Sequence, residues 1–467
     1  MDVISYSNIK VSGFPFQKII SIVIQHEPNE HAVAEIVGEV ETTEAQNMVQ
    51  RVDEKTMVTI STTAKGQPKK LFCGCVGNLS MQQENEYSLV QLQLYSTSKL
   101  LDITKKNKTY QNTSKTYEQI MSADISSVGD LHMMVSDKAI GQLIMKYNET
   151  DWEFMKRMAS QLNAPLITNI NSKRPQIYIG MPTSGKTITI ESSSYSYGSD
   201  IGSVERTAGA MIQDFSGEQV ESYEYAYLGD EVSMNGKKES IKSVYAYLED
   251  GIMRISYGLL AATAASAGGS MAGIAAPAAA NTQAAGKMMK GIVQAVQGDK
   301  VQVHLTDVDS SYDGGGDWWF PFSTAYSSSD GSGWYCMPES GDEVRVFFPS
   351  GNEGDAFAAS SVCANPPANP KHKSWKAPGG KEILLTDEGM YIIGKSGKIF
   401  INLTDEKGIE IHSDKDINIT SDAKISISAA DELRVVATNE IMIGTEEAYL
   451  DLTKNTATLA AGEVLIN

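Results

Sequence analysis

The sequence predicts a mainly β protein built from several modules, and three observations support this prediction. The 467-residue chain is 41% hydrophobic and contains 39 glycines, which is typical of a soluble β-rich protein of about three domains. Apolar and polar residues alternate with a period of two in many runs, as they do in half-buried strands. The last part repeats a pair of aliphatic residues every eight positions. The predicted fold is therefore a β-barrel or sandwich, then a small barrel, then a multi-chain β-helix.

The first region, residues 1–258, combines strand signals with a helical insertion. Its first hundred residues alternate strand-like runs with turns, which predicts a β-barrel or sandwich. The later run "TDWEFMKRMASQLN" carries helix-spaced apolar residues, and Thr150 or Asp151 can cap the helix at its N-terminus. Its methionine and aromatic stripe indicates core packing and not a cofactor site. Strand-like runs resume from "QIYIG" to "MRISYGL".

Three shorter segments follow this region. Residues 259–287 are rich in Ala and Gly and contain Pro277, which predicts a linker or a closely packed helix and not a transmembrane helix. Residues 288–364 carry five strand candidates with Gly-rich connections, which predicts a small Greek-key barrel of the OB type. Acidic runs in that module favour a structural role over binding to single-stranded nucleic acid. Residues 365–380 form a Pro-rich spacer, and residues 381–467 carry the octads.

The octads each contain two aliphatic residues separated by one polar residue. Such an i, i+2 pair predicts a short strand with one buried face, because successive side chains of a strand point to opposite sides. The predicted core residues of the octads are Ile401, Leu403, Ile409, Ile411, Ile417, Ile419, Ile425, Ile427, Leu433, Val435, Ile441 and Ile443.

One octad cannot fold by itself. Burying two aliphatic side chains stabilises by roughly 3 to 6 kcal/mol, whereas ordering eight residues costs roughly 8 to 16 kcal/mol. Backbone hydrogen bonds add about 0.5 to 1.5 kcal/mol each, and only where each group finds a partner. Single-chain solenoids use repeats of about 20 residues or more. Several copies, most naturally three, are therefore expected to wind around one axis. Antiparallel hairpins on a sandwich remain an alternative.

Charge and cysteine content restrict the cellular setting. The formal net charge of −19 argues against nucleic-acid binding and against adhesion to anionic membranes. Cys73 and Cys75 are two apart on a predicted strand and too distant for easy bridging, so the four cysteines do not indicate a disulfide framework. The start, "MDVISYSNIKVSGFPF", lacks a signal-peptide pattern. We therefore expect synthesis and assembly in the cytoplasm without a signal peptide.

The sequence predicts no catalytic residue, no cofactor and no metal site. Adjacent acidic residues such as Asp387 and Glu388 would face opposite sides of a strand, and such charges usually mark a solvated surface. The six histidines lack Cys or Ser motifs around them, and His412 is expected to point outward, opposite to Ile411. We therefore expect a protein that is not an enzyme.

Three motifs carry a family resemblance. The segment "KYNETDWEFMKRMASQLNAPLI" is similar to a "QY-x-E-[ST]-D-x-x-F-x-x-R" motif. The others are "LGDEVSMNGK…VYAYLEDGIMRISYGL" and "PESGDEVRVFFPSGNEGDAFAASSVCANPP". With these motifs the chain resembles the VgrG family of type VI secretion and the hub-and-spike proteins of contractile phage tails and tail-like bacteriocins, over nearly its whole length. The motif residues are Tyr147, Glu149, Thr150, Asp151, Phe154 and Arg157.

The resemblance implies a homotrimer with a defined role for each module. Residues 1–258 would form a hub of two β-barrels related to the tail-tube subunit, so that three copies meet a hexameric tail-tube protein. Residues 288–364 would form a collar, and residues 381–467 a triple-stranded β-helix needle. Baseplate proteins and effector cargo are the further partners it implies, and nucleic acid is not among them. Contraction would deliver the particle outward and drive the needle through a target envelope.

The C-terminal end predicts one more partner. Three copies of Val464, Leu465 and Ile466 would form a blunt apolar patch, which predicts an interface for a tip protein of the PAAR type. The chief alternative function is a receptor-binding tail fibre or a polysaccharide- or peptidoglycan-degrading tail spike. Such a protein would place long rungs and a carboxylate groove where this chain has octads. The sequence does not distinguish a type VI apparatus from a phage tail or a bacteriocin.

Overall fold

The computed structural model describes residues 3–53, 55–190, 195–199, 216–234, 236–261, 273–312, 318–445 and 447–464. The protein is mainly β, with 43% strand and 10% helix, and none of the sheets formed by these residues is closed. The mainly β prediction is therefore confirmed. The chain divides into two compact units, Met1–Ala364 and Asn365–Asn467. Among the described residues, no helix has the length and apolar character that crossing a membrane requires.

The first unit contains most of the strands and all three α-helices of the described chain. Its helices are α1 (Thr42–Arg51), α2 (Tyr117–Ile125) and α3 (Asp151–Gln161). Its strands are β1 (Ile9–Val11), β2 (Lys18–His26), β3 (Val33–Glu41), β4 (Met57–Thr62), β5 (Lys69–Glu84), β6 (Tyr87–Ser96), β7 (Lys106–Tyr110), β8 (Asp130–Met133), β9 (Ile144–Glu149), β10 (Leu166–Thr168), β11 (Gln176–Ile179), β12 (Thr187–Thr189), β13 (Tyr195–Ser199), β14 (Ser216–Ser222), β15 (Glu231–Met234), β16 (Lys237–Glu249), β17 (Ile252–Ala261), β18 (Met288–Gln297), β19 (Lys300–His304), β20 (Phe320–Pro321), β21 (Glu343–Phe347) and β22 (Phe357–Ala359).

A large sheet of twelve strands forms the base of this unit. Its main path runs β1-β4-β5-β6-β3-β2-β16-β17-β14-β13, with β15 and β12 attached beside β16. Burial alternates along its strands, as in β2, where Ile22 and Ile24 are fully buried and Val23 between them is only partly buried. The period of two therefore predicted these strands correctly. The two tube-like barrels implied by the resemblance stay a prediction.

The α/β insertion, residues 97–181, contains α2, α3 and the three-stranded sheet β10-β11-β8. The side chain of Thr150 accepts a hydrogen bond from the Glu153 N–H at 3.1 Å, and the Glu153 carboxylate accepts one from the Thr150 N–H at 2.8 Å. This capping box fixes the start of α3 at the predicted position. Trp152 and Met155 face the core of the insertion, so the apolar stripe packs as predicted.

The five-strand module, residues 288–364, is a small antiparallel sheet in the order β20-β19-β18-β21-β22. Its core contains Val301, Val344 and Phe348, each fully buried. The five strands lie where the sequence shows strand candidates, and in β18, β19 and β21 Val or Ile alternates with polar residues. The sheet is open, so the OB-type barrel stays a prediction.

The described parts of the predicted linker, residues 259–261 and 273–287, are more ordered than their composition suggests. The first residues of the linker belong to β17, where Leu259 is buried. Residues 262–272 lie outside the described residues. Residues 273–287 pack against the rest of the first unit. Asn29 donates a side-chain hydrogen bond to the Ile274 carbonyl at 3.0 Å, and Ala276 N–H donates to the Ala164 carbonyl at 3.0 Å. Backbone hydrogen bonds thus hold a segment whose small side chains gave no strand or helix signal.

The octad unit, Asn365–Asn467, has two antiparallel sheets, in the orders β23-β24-β25-β26-β27 and β28-β29-β30. The first of these strands lies inside the predicted spacer, which is therefore shorter than expected. Residues 413–439 form no strand in the single chain, because a strand needs hydrogen-bonded neighbours and one chain supplies none there. The predicted trimeric β-helix stays a prediction. The strands are β23 (Lys373–Lys376), β24 (Glu382–Leu385), β25 (Gly389–Ile393), β26 (Phe400–Thr404), β27 (Gly408–His412), β28 (Glu440–Gly444), β29 (Tyr449–Thr453) and β30 (Ala457–Ala460).

His26, at the end of β2, makes the stability of the first unit depend on pH. Burial lowers the pKa of His26 from 6.5 to about 4, and a backbone contact with Thr168 opposes this only in part. The unfolded chain binds a proton at this site below about pH 6.5, whereas the folded chain does so only below about pH 4. As the pH falls from 6.5 to 4, the free energy of unfolding is therefore expected to decrease by about 3 kcal/mol. His26 causes no further decrease below pH 4. Urea unfolding from pH 4 to pH 7 measures this loss.

The matched variants for that experiment are His26→Phe and His412→Gln. We expect His26→Phe to remove about 3 kcal/mol of the pH dependence. His412 lies in the octad unit and not in the first unit, so His412→Gln is the control and should leave the pH dependence of the first unit unchanged. An unchanged pH dependence in His26→Phe would contradict the prediction.

Candidate functional site

The family-motif residues lie together where β9 leads into α3. Five of them are buried: Glu149, Thr150, Asp151, Phe154 and Arg157. Tyr147 is half-buried and packs against the core of the five-strand module. The strand, the capping box and the first two turns of α3 therefore bring all six motif residues to one place.

Arg157 is the centre of the first half of this site. Its guanidinium donates two hydrogen bonds of 2.8 Å to the Glu149 carboxylate and one of 2.9 Å to Glu353, and another of 2.8 Å to the Met145 carbonyl. The Arg157 side chain is only 5% exposed. Burial acts to lower the pKa of Arg157, but Glu149 and Glu353 outweigh it and hold the pKa above its ordinary value. Because Glu353 belongs to the third sequence motif, the guanidinium joins the first motif to the third.

Lys146 is the centre of the second half. Its ammonium group donates to Asp124 at 3.0 Å and also to Asp151, and its side chain is 1% exposed. Lys106 approaches the other oxygen of Asp151 at 2.6 Å. Burial acts to raise the pKa of Asp124, but Lys146 and the Tyr110 hydroxyl hold it below its usual range. The lysines thus neutralise both carboxylates.

These two halves form what we call the ion network: Lys106, Asp124, Lys146, Glu149, Asp151, Arg157 and Glu353. Its ions are paired, and removing one partner of a buried pair is strongly destabilising. Lys146 and Arg157 also lie 5.2 Å and 5.5 Å from the Phe154 ring centroid. Among the described residues, no group of three or more His, Cys, Asp or Glu side chains is placed to hold a metal. The ion network therefore acts as a structural contact that holds its secondary-structure elements together.

A Ser-His-Asp arrangement lies nearby, and no motif or spacing in the sequence indicates it. Ser98 Oγ lies 2.8 Å from His31 Nδ1, and His31 Nε2 lies 3.3 Å from Asp102. This order is that of a nucleophile, a base and an orienting acid. However, Ser98 is completely buried, its hydroxyl also bonds Ser96 at 2.8 Å, and the His31 ring packs on Trp152 at 4.2 Å. A substrate cannot reach this serine, so we assign the arrangement to core packing.

The octad core residues form an exposed aliphatic surface in the single chain. Ile441 is half-buried and the other eleven predicted core residues are exposed, from 36% for Ile401 to 72% for Ile409. Contiguous apolar surface of this extent is rare on a monomer and marks an interaction site. Val464 is also exposed, whereas Leu465 and Ile466 lie outside the described residues.

Strand pairing shows that this surface begins earlier than the octads. Across the sheet β23–β27, Trp375 faces Ile383, Ile383 faces Ile392, Ile392 faces Ile401, and Ile401 faces Ile411. A second row on the same side joins Leu385, Met390, Leu403 and Ile409. The octad period does not predict the earlier members, because Ile392 and Ile401 are nine residues apart. Antiparallel pairing, and not a fixed count of eight, keeps them on one face.

Comparison with known proteins finds solved structures with a similar fold. No family model matches the chain and no curated protein matches it. Solved structures do match. The E. coli c3393 protein is a type VI secretion component with structural similarity to the T4 tail proteins gp27 and gp5. It aligns with a TM-score of 0.55 and 13% identity over 76% of this chain and 99% of its own.

Francisella structures extend the comparison. A chain of the half-lidded PdpA–VgrG complex aligns with a TM-score of 0.51 and 8% identity over 87% of both chains. A chain of the lidded complex aligns with a TM-score of 0.52 and 8% identity over 84% of this chain and 76% of its own. The fold is thus of the tail hub class. More narrowly, it is the fold of VgrG and of the gp27–gp5-like proteins, and the predicted resemblance is confirmed at the level of the fold.

Proposed function

We propose that this protein is the trimeric hub and spike of a contractile injection system. In that role it joins the inner tube and baseplate to the tip and pierces the target envelope mechanically. The observation that carries the proposal is the exposed aliphatic surface of the octad unit on a chain with the tail hub fold. Three chains that bury this surface against one another complete the predicted β-helix needle.

The energetics favour several chains over one. Full burial of an aliphatic side chain stabilises a protein by about 1.5 to 3 kcal/mol. The eleven exposed core residues obtain little of this stabilisation in the single chain. Neighbouring chains supply the apolar contacts and also the strand partners that residues 413–439 lack within their own chain. A trimer therefore satisfies the hydrogen-bonding and burial needs of the octads together.

The other modules have roles that follow from the same proposal. The first 258 residues are the hub, whose two tube-like barrels in each chain present a ring to a hexameric tail-tube protein. The five-strand module is an OB-type collar. Baseplate proteins, effector cargo and a PAAR-like tip protein bound at Val464, Leu465 and Ile466 are the proposed partners. The Francisella complexes pair VgrG with a second protein, PdpA, which supports a protein partner for this chain as well.

We place assembly in the cytoplasm and delivery outward on contraction. The proposed action is mechanical and not enzymatic, and it needs no cofactor and no nucleic acid. The charged groups of the ion network are paired with one another, which supports a structural role for the motif. The rival function is a receptor-binding fibre or a degrading tail spike.

A sedimentation measurement and a degradation assay together test the proposed function against the degrading tail spike. We expect the purified protein to sediment at three times the 50.6 kDa mass of the chain and to resist mild SDS. Incubation with peptidoglycan and with capsular polysaccharides should release no soluble fragments. A monomeric mass would refute both the needle and the hub, and released oligosaccharides would establish the degrading tail spike.

A further inference from the structure

Strand β9 is buried on both of its faces. Ile144 lies in the core of the α/β insertion, whereas Leu143 and Met145 lie in the core of the five-strand module. Lys146, the next residue, returns to the insertion, where it meets Asp124 and Asp151. Because neighbouring side chains of a strand point to opposite sides, β9 serves as a wall between two cores.

The β9 region contributes two side chains to the core of the five-strand module. Leu143 and Met145 are both fully buried, and their cluster otherwise consists almost wholly of residues from 284–358. A sheet of five short strands buries one face against its own loops and needs further apolar cover. Two side chains from a sequence position about 150 residues earlier supply part of that cover.

Polar contacts close the same junction from both strands of the β7–β9 pair. The Thr109 N–H donates to Asp309 at 2.8 Å, and the Gln111 side chain donates to the Val303 carbonyl at 3.0 Å. The Asn281 side chain donates to the Met145 carbonyl at 2.7 Å. Arg157 of the insertion reaches Glu353 of the module at 2.9 Å.

We infer that the β7–β9 pair couples the α/β insertion and the five-strand module into one mechanical unit, with the Arg157–Glu353 ion pair as the positioning contact that closes it. Apolar burial by Leu143 and Met145 holds the two cores together. The three polar contacts from the insertion to the module fix their orientation, and Asn281 holds the preceding segment against β9. Residues 273–287 are therefore held at this junction and do not act as a hinge between independent domains. The coupling lies within a single chain. Only its use, to pass thrust from the hub to the collar without bending, rests on the proposed function.

Amide hydrogen exchange on the full-length protein tests the apolar part. We expect Met145→Ala to reduce the protection of β18, β19 and β21 by about thirty-fold or more, although the substituted residue lies outside their module. Met134→Ala is the matched control in the same insertion, because Met134 is 37% exposed. It should change protection by less than about twofold. Wild-type protection of the module in Met145→Ala would overturn the inference.

The Arg157–Glu353 ion pair provides a second test, which uses a more conservative substitution. Glu353→Gln keeps the size of the side chain and removes its charge, and we expect it to reduce the protection of α3 and β9 by about tenfold or more. Asp355→Asn is the control, because Asp355 lies in the same turn and is exposed. An effect of Glu353→Gln that stays within the five-strand module would refute the coupling. A monomeric but coupled protein would refute the proposed function and leave this inference standing.

Discussion

Arg157→Met is expected to lower the free energy of unfolding of the first unit by about 3 to 5 kcal/mol. The substitution leaves Glu149 and Glu353 buried without their cation, and it also removes the donor to the Met145 carbonyl. Uncompensated buried carboxylates carry a large desolvation penalty, and methionine offers only apolar contact in return. Urea unfolding at pH 7, followed by near-ultraviolet circular dichroism, measures the loss.

Two further variants make this prediction specific. Arg345→Met should cost less than about 1 kcal/mol, because a surface pair is screened by water. The Arg345 side chain is 32% exposed, and its partner Glu343 keeps Lys290 at 2.7 Å. Replacing both Glu149 and Glu353 by Gln in the Arg157→Met background should restore part of the stability, since no unpaired buried carboxylate then remains around position 157. Equal losses for Arg157→Met and Arg345→Met would contradict the role assigned to the ion network.

Ile425→Asp is expected to abolish assembly of the trimeric needle. In the proposed trimer, the substitution brings three carboxylates to the common axis, where each buried and unpaired charge costs several kcal/mol. The single chain exposes 49% of Ile425, so the folding of the isolated octad unit gives no reason for the loss. Sedimentation velocity should show monomers or trimers with a frayed needle, and resistance to mild SDS should disappear.

The control for this substitution is Ser426→Asp. Ser426 is the next residue and should face water in an extended strand, so the same charge at this position should leave the trimer intact. Trimers of Ile425→Asp with unchanged thermal melting would show that Ile425 does not face the axis. Loss of trimers in Ser426→Asp would show that the strand is turned the other way.

Local features of the fold could be predicted from the sequence because short-range physics determines them. The cap of α3 follows from Thr150 and Glu153, three residues apart, and the helix follows from the spacing of Trp152 and Met155. The alternation in β2 likewise follows from side-chain direction in a strand. The six motif residues were found as a set, although the resemblance did not state what they do.

Contacts between distant segments could not be predicted in this way. Glu353 lies 196 residues from Arg157, and Ser98 lies 67 residues from His31. No periodicity records such a pair, because its formation depends on how sheets and insertions pack. The same reason hid the Trp375 row, whose members share a face through antiparallel pairing and not through a constant spacing.

The sequence by itself determined that this chain is mainly β, that its octads cannot bury their aliphatic pairs alone, and that a capped helix follows the motif strand. These results depend on periodicity and composition, which are local properties. The tertiary structure decided that β9 divides two cores, that Arg157 joins the first motif to the third, and that residues 273–287 pack against the first unit. Those results depend on chain segments that meet only after folding, because burial and ion pairing act between residues close in space, however far apart they lie along the chain.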